Sequence, residues 1–247
     1  VFSDLERVLD KYFLATLNRG VWLYDDKGWN EVSGLPGVDS LAGNGTDCYA
    51  YGNGKGVYRL HKNSAELFIT EVFCNGLLNV HVCQDGSLLM LFADGAIKTS
   101  ASSGDLQTLA TIPDEFRGEF HSVWKVGANI VVLVNKGILV QESDKQWNLV
   151  FFKGRIEGGR VSAATAGTDG SLYIALNDGR IFRFVSGQVE FIGTINDTPV
   201  TMNYAGFLWV AGTESLFFLE KNNLIAAPFH ARDRILGAYP VADSNSV

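Results

Sequence analysis

The sequence predicts an all-β fold, and three observations carry this prediction. Residues 171–192, SLYIALNDGRIFRFVSGQVEFI, read as three short strands separated by the turns Asn177-Asp178-Gly179 and Ser186-Gly187. Asn or Asp followed by Gly between alternating apolar runs is a strong hairpin signal, because both turn residues must reach positive φ. Similar stretches recur along the chain, and a further strand of small and β-branched residues precedes most of them.

The stretch recurs six times in all. The copies begin with YFLATLNRG, CYAYGNGKG, SLLMLFADG, NIVVLVNKG, SLYIALNDG and FLWVAGTES, and their aligned turn residues are spaced by 36, 39, 42, 42 and 36 positions. A preceding strand is expected at residues 38–42, 77–82, 121–126, 161–166 and 200–204. Four short strands in a repeat of this length are typical of a β-propeller blade. The sequence therefore predicts a six-bladed β-propeller with four-stranded blades.

The two ends of the chain are expected to differ from the repeat. Residues 1–11 contain Ser3 followed three positions later by Glu6, which has the form of a capping box and predicts a short N-terminal helix. Residues 12–247 then form the propeller as one domain. The first copy lacks a convincing preceding strand, and residues 234–243 resemble 160–169 in pattern. We therefore expect the C-terminal strand to become the innermost strand of the first blade and to close the propeller, removing its free edges.

Composition limits the classes of function. The 247 residues are 47% hydrophobic and carry a net charge of −7, which indicates a globular protein and disfavours a nucleic-acid surface. No run approaches the length of a membrane-spanning helix. Three cysteines are too few for a disulfide scaffold, and the sequence leaves open whether any of them pair.

One family resemblance rests on the segments GVWLY at 20–24, GWNEV at 28–32 and GLPGV at 34–38. They resemble tectonin-type repeats, and Trp147-Asn148-Leu149-Val150 echoes the pattern once more. The same segments are similar to the propellers of two-component-regulator sensors. The resemblance implies the propeller fold and, through the tectonin lectins, a glycan as one class of ligand.

Catalytic and metal sites find little support in the residues. The arginines are better explained as solvated or salt-bridged surface groups than as a carboxylate-binding cluster: Arg19, Arg59, Arg117, Arg160, Arg180 and Arg183. Acids such as Asp85 and Asp178 directly precede a Gly, where turn formation alone explains them. The four histidines show no metal-ligand spacing, although His81 and His121 lie on predicted innermost strands. The sequence predicts neither a catalytic residue nor a cofactor or metal.

Binding residues are expected in the loops at one mouth of the propeller. These loops join second to third strands and fourth strands to the next blade, and loops on a rigid scaffold commonly carry binding sites. The candidates are Arg19, Lys55, Asp94, Arg117, Lys136, Arg160, Asp178 and Glu214, with Phe120, Glu157 and Asp197 beside them.

Three functions remain open. The first is a non-catalytic binding module, as part of a larger surface or particle assembly, with a protein partner. The second is a tectonin-like lectin, in which tryptophans such as Trp22 and Trp29 would stack on sugars. The third is a propeller-type glycoside hydrolase or lyase. The expected partner is thus a protein or a glycan, with no nucleic acid and no membrane span, and an extracellular or surface location is the favoured expectation.

Overall fold

The computed structural model describes residues 2–9, 11–16, 20–25, 27–35, 37–38, 40–62, 64–101, 104–116, 120–135, 137–141, 145–152, 159–167, 170–204, 208–220 and 223–230. The fold is a six-bladed β-propeller, because the described strands form six four-stranded antiparallel sheets, each joined in chain order. Helical structure within these ranges is confined to two 3₁₀ turns, Glu71–Phe73 and Asp114–Phe116. No helix of the described ranges is long and apolar enough to cross a membrane.

Each blade consists of four consecutive strands. Blades one to three comprise β1 (Phe2–Val8), β2 (Lys11–Thr16), β3 (Gly20–Asp25), β4 (Gly28–Val32), β5 (Ser40–Gly43), β6 (Cys48–Gly52), β7 (Gly56–Leu60), β8 (Ala65–Ile69), β9 (Leu77–Val82), β10 (Leu88–Phe92), β11 (Ala96–Ser100) and β12 (Leu106–Thr111). Blades four to six comprise β13 (Phe120–Val126), β14 (Asn129–Val134), β15 (Gly137–Gln141), β16 (Trp147–Phe151), β17 (Val161–Ala166), β18 (Leu172–Leu176), β19 (Arg180–Val185), β20 (Gln188–Thr194), β21 (Pro199–Tyr204), β22 (Leu208–Gly212), β23 (Ser215–Glu220) and β24 (Asn223–His230).

The chain divides into two compact units. The first contains Val1–Leu133 and Gln141–Trp147, and the second contains Val134–Val140 and Asn148–Val247. Blades one to three belong to the first unit and blades five and six to the second. In the first unit the first strands of successive blades contact one another, β1 with β5, β5 with β9 and β9 with β13. In the second unit β17 contacts β21 in the same way.

The second strand of a blade forms its most buried layer. All five residues of β6 and of β10 are buried in the first unit, and all five residues of β18 are buried in the second. Full burial of one such large apolar side chain stabilises the fold by about 1.5–3 kcal/mol. Because both faces of these strands pack against protein, their sequences are continuously apolar, as in LLMLF at 88–92.

The predicted N-terminal helix is wrong. Residues 2–8 form β1, which pairs antiparallel with β2 and gives the first blade its first strand. The Ser-x-x-Glu pattern suggested a cap, but a run this short gains little from helix formation alone. In the strand conformation, the carboxylates of Asp4 and Glu6 accept hydrogen bonds from backbone N–H groups of β5. Tertiary pairing therefore decides the conformation.

This strand also changes the expected closure of the first blade. The place beside β2 that the sequence assigned to residues 234–243 is occupied by β1. Residues 234–243 themselves lie outside the described residues. The remaining first strands agree with their predictions within two residues at either end, and β9 and β17 have the expected bounds.

Candidate binding face

In the first unit, the loops at one end of the blades are joined by backbone hydrogen bonds. We call residues 53–55, 70–76, 93–95 and 112–116 the first loop surface. Its cross-loop bonds run from Gly54 N to Cys74 O at 3.0 Å, from Ala93 N to Gly76 O at 2.8 Å and from Ile112 N to Gly95 O at 2.9 Å. Each bond joins the turn between second and third strands to a segment that connects two blades. The loops therefore form a continuous, fixed surface.

The second unit has the same arrangement, which we call the second loop surface: residues 160, 177–179, 195–198 and 213–215. Asn177 N donates to Arg160 O at 2.8 Å, and Arg160 N donates to Asn177 Oδ1 at 2.8 Å. Ile195 N donates to Gly179 O at 2.9 Å. The blade-connecting segments are thus held to the neighbouring turns here as well.

Five of the predicted binding residues lie in these loops. Lys55 and Asp94 belong to the first loop surface, and Arg160, Asp178 and Glu214 belong to the second; all five are exposed. Arg19, Arg117, Lys136 and Glu157 lie outside the described residues. Phe120 is half-buried at the start of β13. Four of these residues lie in turns between second and third strands, Arg160 lies in a blade-connecting segment, and all five side chains are accessible to a partner.

Two of the acids are engaged within their own turns. Asp94 Oδ1 accepts a hydrogen bond from Ala96 N at 3.0 Å. The carboxylate of Asp178 pairs with the guanidinium of Arg180 at 2.6 Å, and this hydrogen bonding holds the pKa of Asp178 below its usual value. The turn-forming explanation of Asp178 thus fits its geometry, and its charge is balanced locally.

Asp197 links blade five to blade six. Its carboxylate accepts hydrogen bonds from Thr213 Oγ1 at 2.6 Å, Glu214 N at 2.9 Å and Ser215 N at 3.0 Å. Desolvation is the largest single influence on the pKa of Asp197 and raises it, but these bonds and one from Thr198 N outweigh it and hold the pKa below normal. Asp197 therefore shapes the second loop surface.

The first strands carry polar side chains that sequence reasoning missed. Asp4 Oδ2 accepts from Leu41 N at 2.9 Å, and Asn79 Oδ1 accepts from Val123 N at 3.0 Å, so each bonds the backbone of the next blade. Glu6 accepts from the N–H of Gly43; burial, with Asp4 nearby, raises its pKa to about 8. The alternation of Asp4, Glu6 and Val8 at a period of two was the available signal.

The first-strand histidines have a different environment. Burial lowers the pKa of His81 to about 4 and also lowers the pKa of His121. The His81 ring packs against Trp124 with centroids 5.0 Å apart, and Ser122 Oγ lies within hydrogen-bond distance of both His121 and Trp124. No described carboxylate contributes to either histidine shift. The imidazole of His81 is therefore neutral at pH 7, and neither histidine pairs with an acid among the described residues.

In the described part of the chain, no group of three or more His, Cys, Asp or Glu residues could hold a metal ion. Cys48 and Cys74 are buried free thiols, and Cys83 is a partly buried one. Burial raises the pKa of all three thiols. They are consequently protonated and weakly nucleophilic at neutral pH.

Two clefts lie beside outer strands of the first unit. The larger, of about 420 Å³, contains Trp22 and Glu31 and is otherwise lined by Gly20, Val32, Gly34, Leu35 and Gly37. The smaller, of about 220 Å³, is lined by Ser87, Thr99, Ala101, Asp105 and Gln107. Each cleft has one acid, Glu31 or Asp105, but of the two only the larger has an aromatic side chain. Trp29 lies outside both, 49% exposed, with its ring 5.1 Å from that of Tyr24.

Comparison with known proteins supports the fold. No family model and no curated protein matches the chain. Virginiamycin B lyase from Staphylococcus aureus is similar with a TM-score of 0.73 and 13% identity, over 94% of this chain and 85% of that one. The extracellular domain of the hybrid two-component system BT4673 from B. thetaiotaomicron has a TM-score of 0.69 and 14% identity, over 94% of this chain and 34% of that one. YCF48 from Cyanidioschyzon merolae has a TM-score of 0.65 and 14% identity, over 92% and 85%. At these identities the likeness concerns the propeller fold alone.

Proposed function

We propose that the chain is a non-catalytic binding propeller that holds a protein partner, as one component of a larger surface or particle assembly. The observation that carries this proposal is the first loop surface, whose loops are fixed to one another by backbone hydrogen bonds across blades. A surface that is already ordered loses little conformational entropy when a partner binds. Exposed Lys55 and Asp94 supply charged groups of both signs on this surface.

An extracellular or surface location is part of the same proposal. The extracellular domain of BT4673 shares the fold, which supports this location by analogy. The hydrolase or lyase alternative gains little from the described first strands, because burial alone accounts for the pKa shifts of His81 and His121. A general acid or base working near neutral pH would need a pKa closer to 7 than the value of about 4 for His81.

A peptide selection tests the binding proposal. A library of random dodecapeptides would be selected on the immobilised chain, and the tightest peptide measured by calorimetry. We expect the double variant Lys55→Glu, Asp94→Lys to lower its affinity at least tenfold. The matched control Glu66→Lys changes an exposed charge on β8, outside the first loop surface, and should stay within twofold. Equal affinities for both variants and the parent chain, or no selected peptide, would contradict the proposal.

A lectin is the second candidate, and the cleft at Trp22 favours it. An indole beside the Glu31 carboxylate combines a stacking surface with a hydrogen-bond acceptor for sugar hydroxyls. The smaller cleft has a carboxylate, Asp105, but no aromatic side chain, so of these two clefts the one at Trp22 alone combines both groups. A glycan array with the parent chain and Trp22→Ala tests it. A saturable hit lost in Trp22→Ala supports the lectin, and a blank array removes it.

A further inference from the structure

The 3₁₀ turn Glu71–Phe73 presents two apolar side chains to solvent on the first loop surface. Val72 is 78% exposed and Phe73 is 58% exposed, and Leu78 follows them at 45%. The turn itself does not require this composition. In the corresponding turn of the next blade, Asp114–Phe116, the middle position is the exposed Glu115, and Phe116 is half-buried. The apolar pair therefore calls for an explanation beyond local structure.

The backbone holds this pair in a fixed position. Phe73 N donates to Thr70 O at 3.1 Å, and Cys74 N donates to Glu71 O at 2.9 Å. The following residues are tied to the neighbouring turn, since Gly76 N donates to Asn53 Oδ1 at 2.8 Å and Cys74 O accepts from Gly54 N. The Cys74 side chain is fully buried in the core and anchors the segment. Val72 and Phe73 thus form a fixed apolar projection, which we call the Val72–Phe73 knob.

The charge around this knob is acidic. Exposed carboxylates lie at Glu71, Asp94, Asp114 and Glu115 on the same loops. The positive charges are those of Lys55, which is exposed, and of Lys98, whose ammonium lies 4.5 Å from the centroid of the Phe92 ring. The charged groups within the described part of this surface thus carry a net negative charge. Such a field accelerates the approach of a basic partner and disfavours an acidic one.

We propose that the Val72–Phe73 knob and its acidic surround bind a basic segment of a protein partner that offers an apolar pocket. This inference rests on the proposed function and specifies the chemistry of the partner. Burial of Val72 and Phe73 in the pocket supplies the central apolar contact, because fully desolvated side chains at the middle of an interface dominate affinity. Lys and Arg side chains of the partner face Glu71, Asp94 and Glu115 at the rim.

The test uses the dodecapeptides selected on the immobilised chain. We expect the selected sequences to be enriched in Lys and Arg beside apolar residues. The tightest peptide should lose at least tenfold in affinity with Val72→Ser, Phe73→Ser. Raising the salt concentration from 0.05 to about 0.5 M should weaken it severalfold, because rim charges are screened. Leu109→Ser is the matched control: it is 43% exposed on β12 and should change the affinity less than twofold.

The outcomes separate this inference from the proposed function. Selection of acidic or uncharged peptides would overturn the proposed partner chemistry and leave the binding function standing. The same conclusion follows if the affinity of the peptides falls with Lys55→Glu, Asp94→Lys but not with Val72→Ser, Phe73→Ser. Peptides whose affinity changes with neither double variant would overturn both the inference and the proposed function. Self-association of the parent chain in sedimentation, abolished by Phe73→Ser and without peptide binding, would identify a second copy as the occupant and contradict the inference.

Discussion

Replacing Glu6 by Gln should change how the stability of the fold depends on pH. Glu6 lies on β1, accepts hydrogen bonds from the N–H groups of Gly43 and Arg7, and has a pKa raised from 4.5 to about 8, chiefly by burial and next by the Asp4 carboxylate. In the folded chain the carboxyl therefore keeps its proton at neutral pH, whereas in the unfolded chain it loses the proton near pH 4.5. Folding binds a proton throughout this window.

The direction and magnitude of this pH dependence follow from the linkage between proton binding and folding. Because the folded pKa is the higher one, the contribution of Glu6 to the free energy of unfolding is full below about pH 4.5 and is lost as the pH rises through about 8. A shift of one pKa unit corresponds to about 1.4 kcal/mol, so the upper bound is roughly 5 kcal/mol. Glu6 keeps partial contact with solvent, which screens part of the penalty, and we expect about 2 kcal/mol. His81 acts in the opposite direction between about pH 4 and 6.5.

Urea unfolding of the parent chain and of Glu6→Gln at pH 5, 6, 7 and 8 measures this difference. Both proteins should be similarly stable at pH 5, and Glu6→Gln should be more stable by about 2 kcal/mol at pH 8. The comparison cancels the contribution of His81, which both proteins share. Glu220→Gln, at an exposed site on β23, should follow the parent profile. Parallel profiles of the parent and Glu6→Gln would refute the buried, protonated carboxyl.

Three further variants test the packing and the loop geometry. Asp197→Ala removes an acceptor of four hydrogen bonds and should lower the unfolding free energy by roughly 2 kcal/mol, as measured in urea; an unchanged midpoint would argue against this linkage of blades five and six. Gly179→Ala should cost more than about 1 kcal/mol, because Gly179 has φ +87° and a Cβ atom there would collide with Ile195 O; wild-type melting would disprove the close approach. Phe182→Ala empties a fully buried site and should cost about 3–5 kcal/mol in the same assay, and a loss below 1 kcal/mol would contradict its burial.

The sequence predicted the blades well because their determinants are local. The Asn177-Asp178-Gly179 turn joins β18 to β19 as expected, and Gly179 takes a positive φ, although Asp178 does not. The continuous apolar run at 88–92 is buried along its whole length. Such features depend on the turn chemistry and periodicity of a few neighbouring residues. They could therefore be inferred without knowledge of the rest of the fold.

The N-terminus shows where local reasoning failed. Residues 2–8 were predicted as a helix from a capping pattern, but they pair with β2, and the side chain of Asp4 bonds to β5, which lies more than thirty positions away. The hydrogen bond from Leu41 N to Asp4 satisfies a backbone donor of the neighbouring blade. No capping pattern could reveal that donor. The same limit applies to Asn79, whose acceptor role depends on Val123 of the next blade.

The sequence predicted which loops lie together, but not the contacts of their side chains. The loops that contain Lys55 and Asp94 were expected to share one face with the blade-connecting segments, and hydrogen bonds join them in the structure. Sequence could not show that Arg180 neutralises Asp178, although a salt-bridged arginine was the preferred explanation of such residues. Nor could it show the exposure of Val72 and Phe73, because exposure depends on which neighbours the fold provides.

The most direct test of the account is a hydrogen–deuterium exchange footprint of the tightest selected dodecapeptide on the parent chain. We expect slower amide exchange in residues 53–55, 70–76 and 93–95. Residues 43–47 and 83–87 should be unchanged, since they lie at the opposite ends of β6 and β10 and are joined by the bond from Asn44 Nδ2 to Cys83 O at 2.9 Å. Protection confined to 43–47 and 83–87, or to outer strands, would contradict the claim that the first loop surface binds the partner.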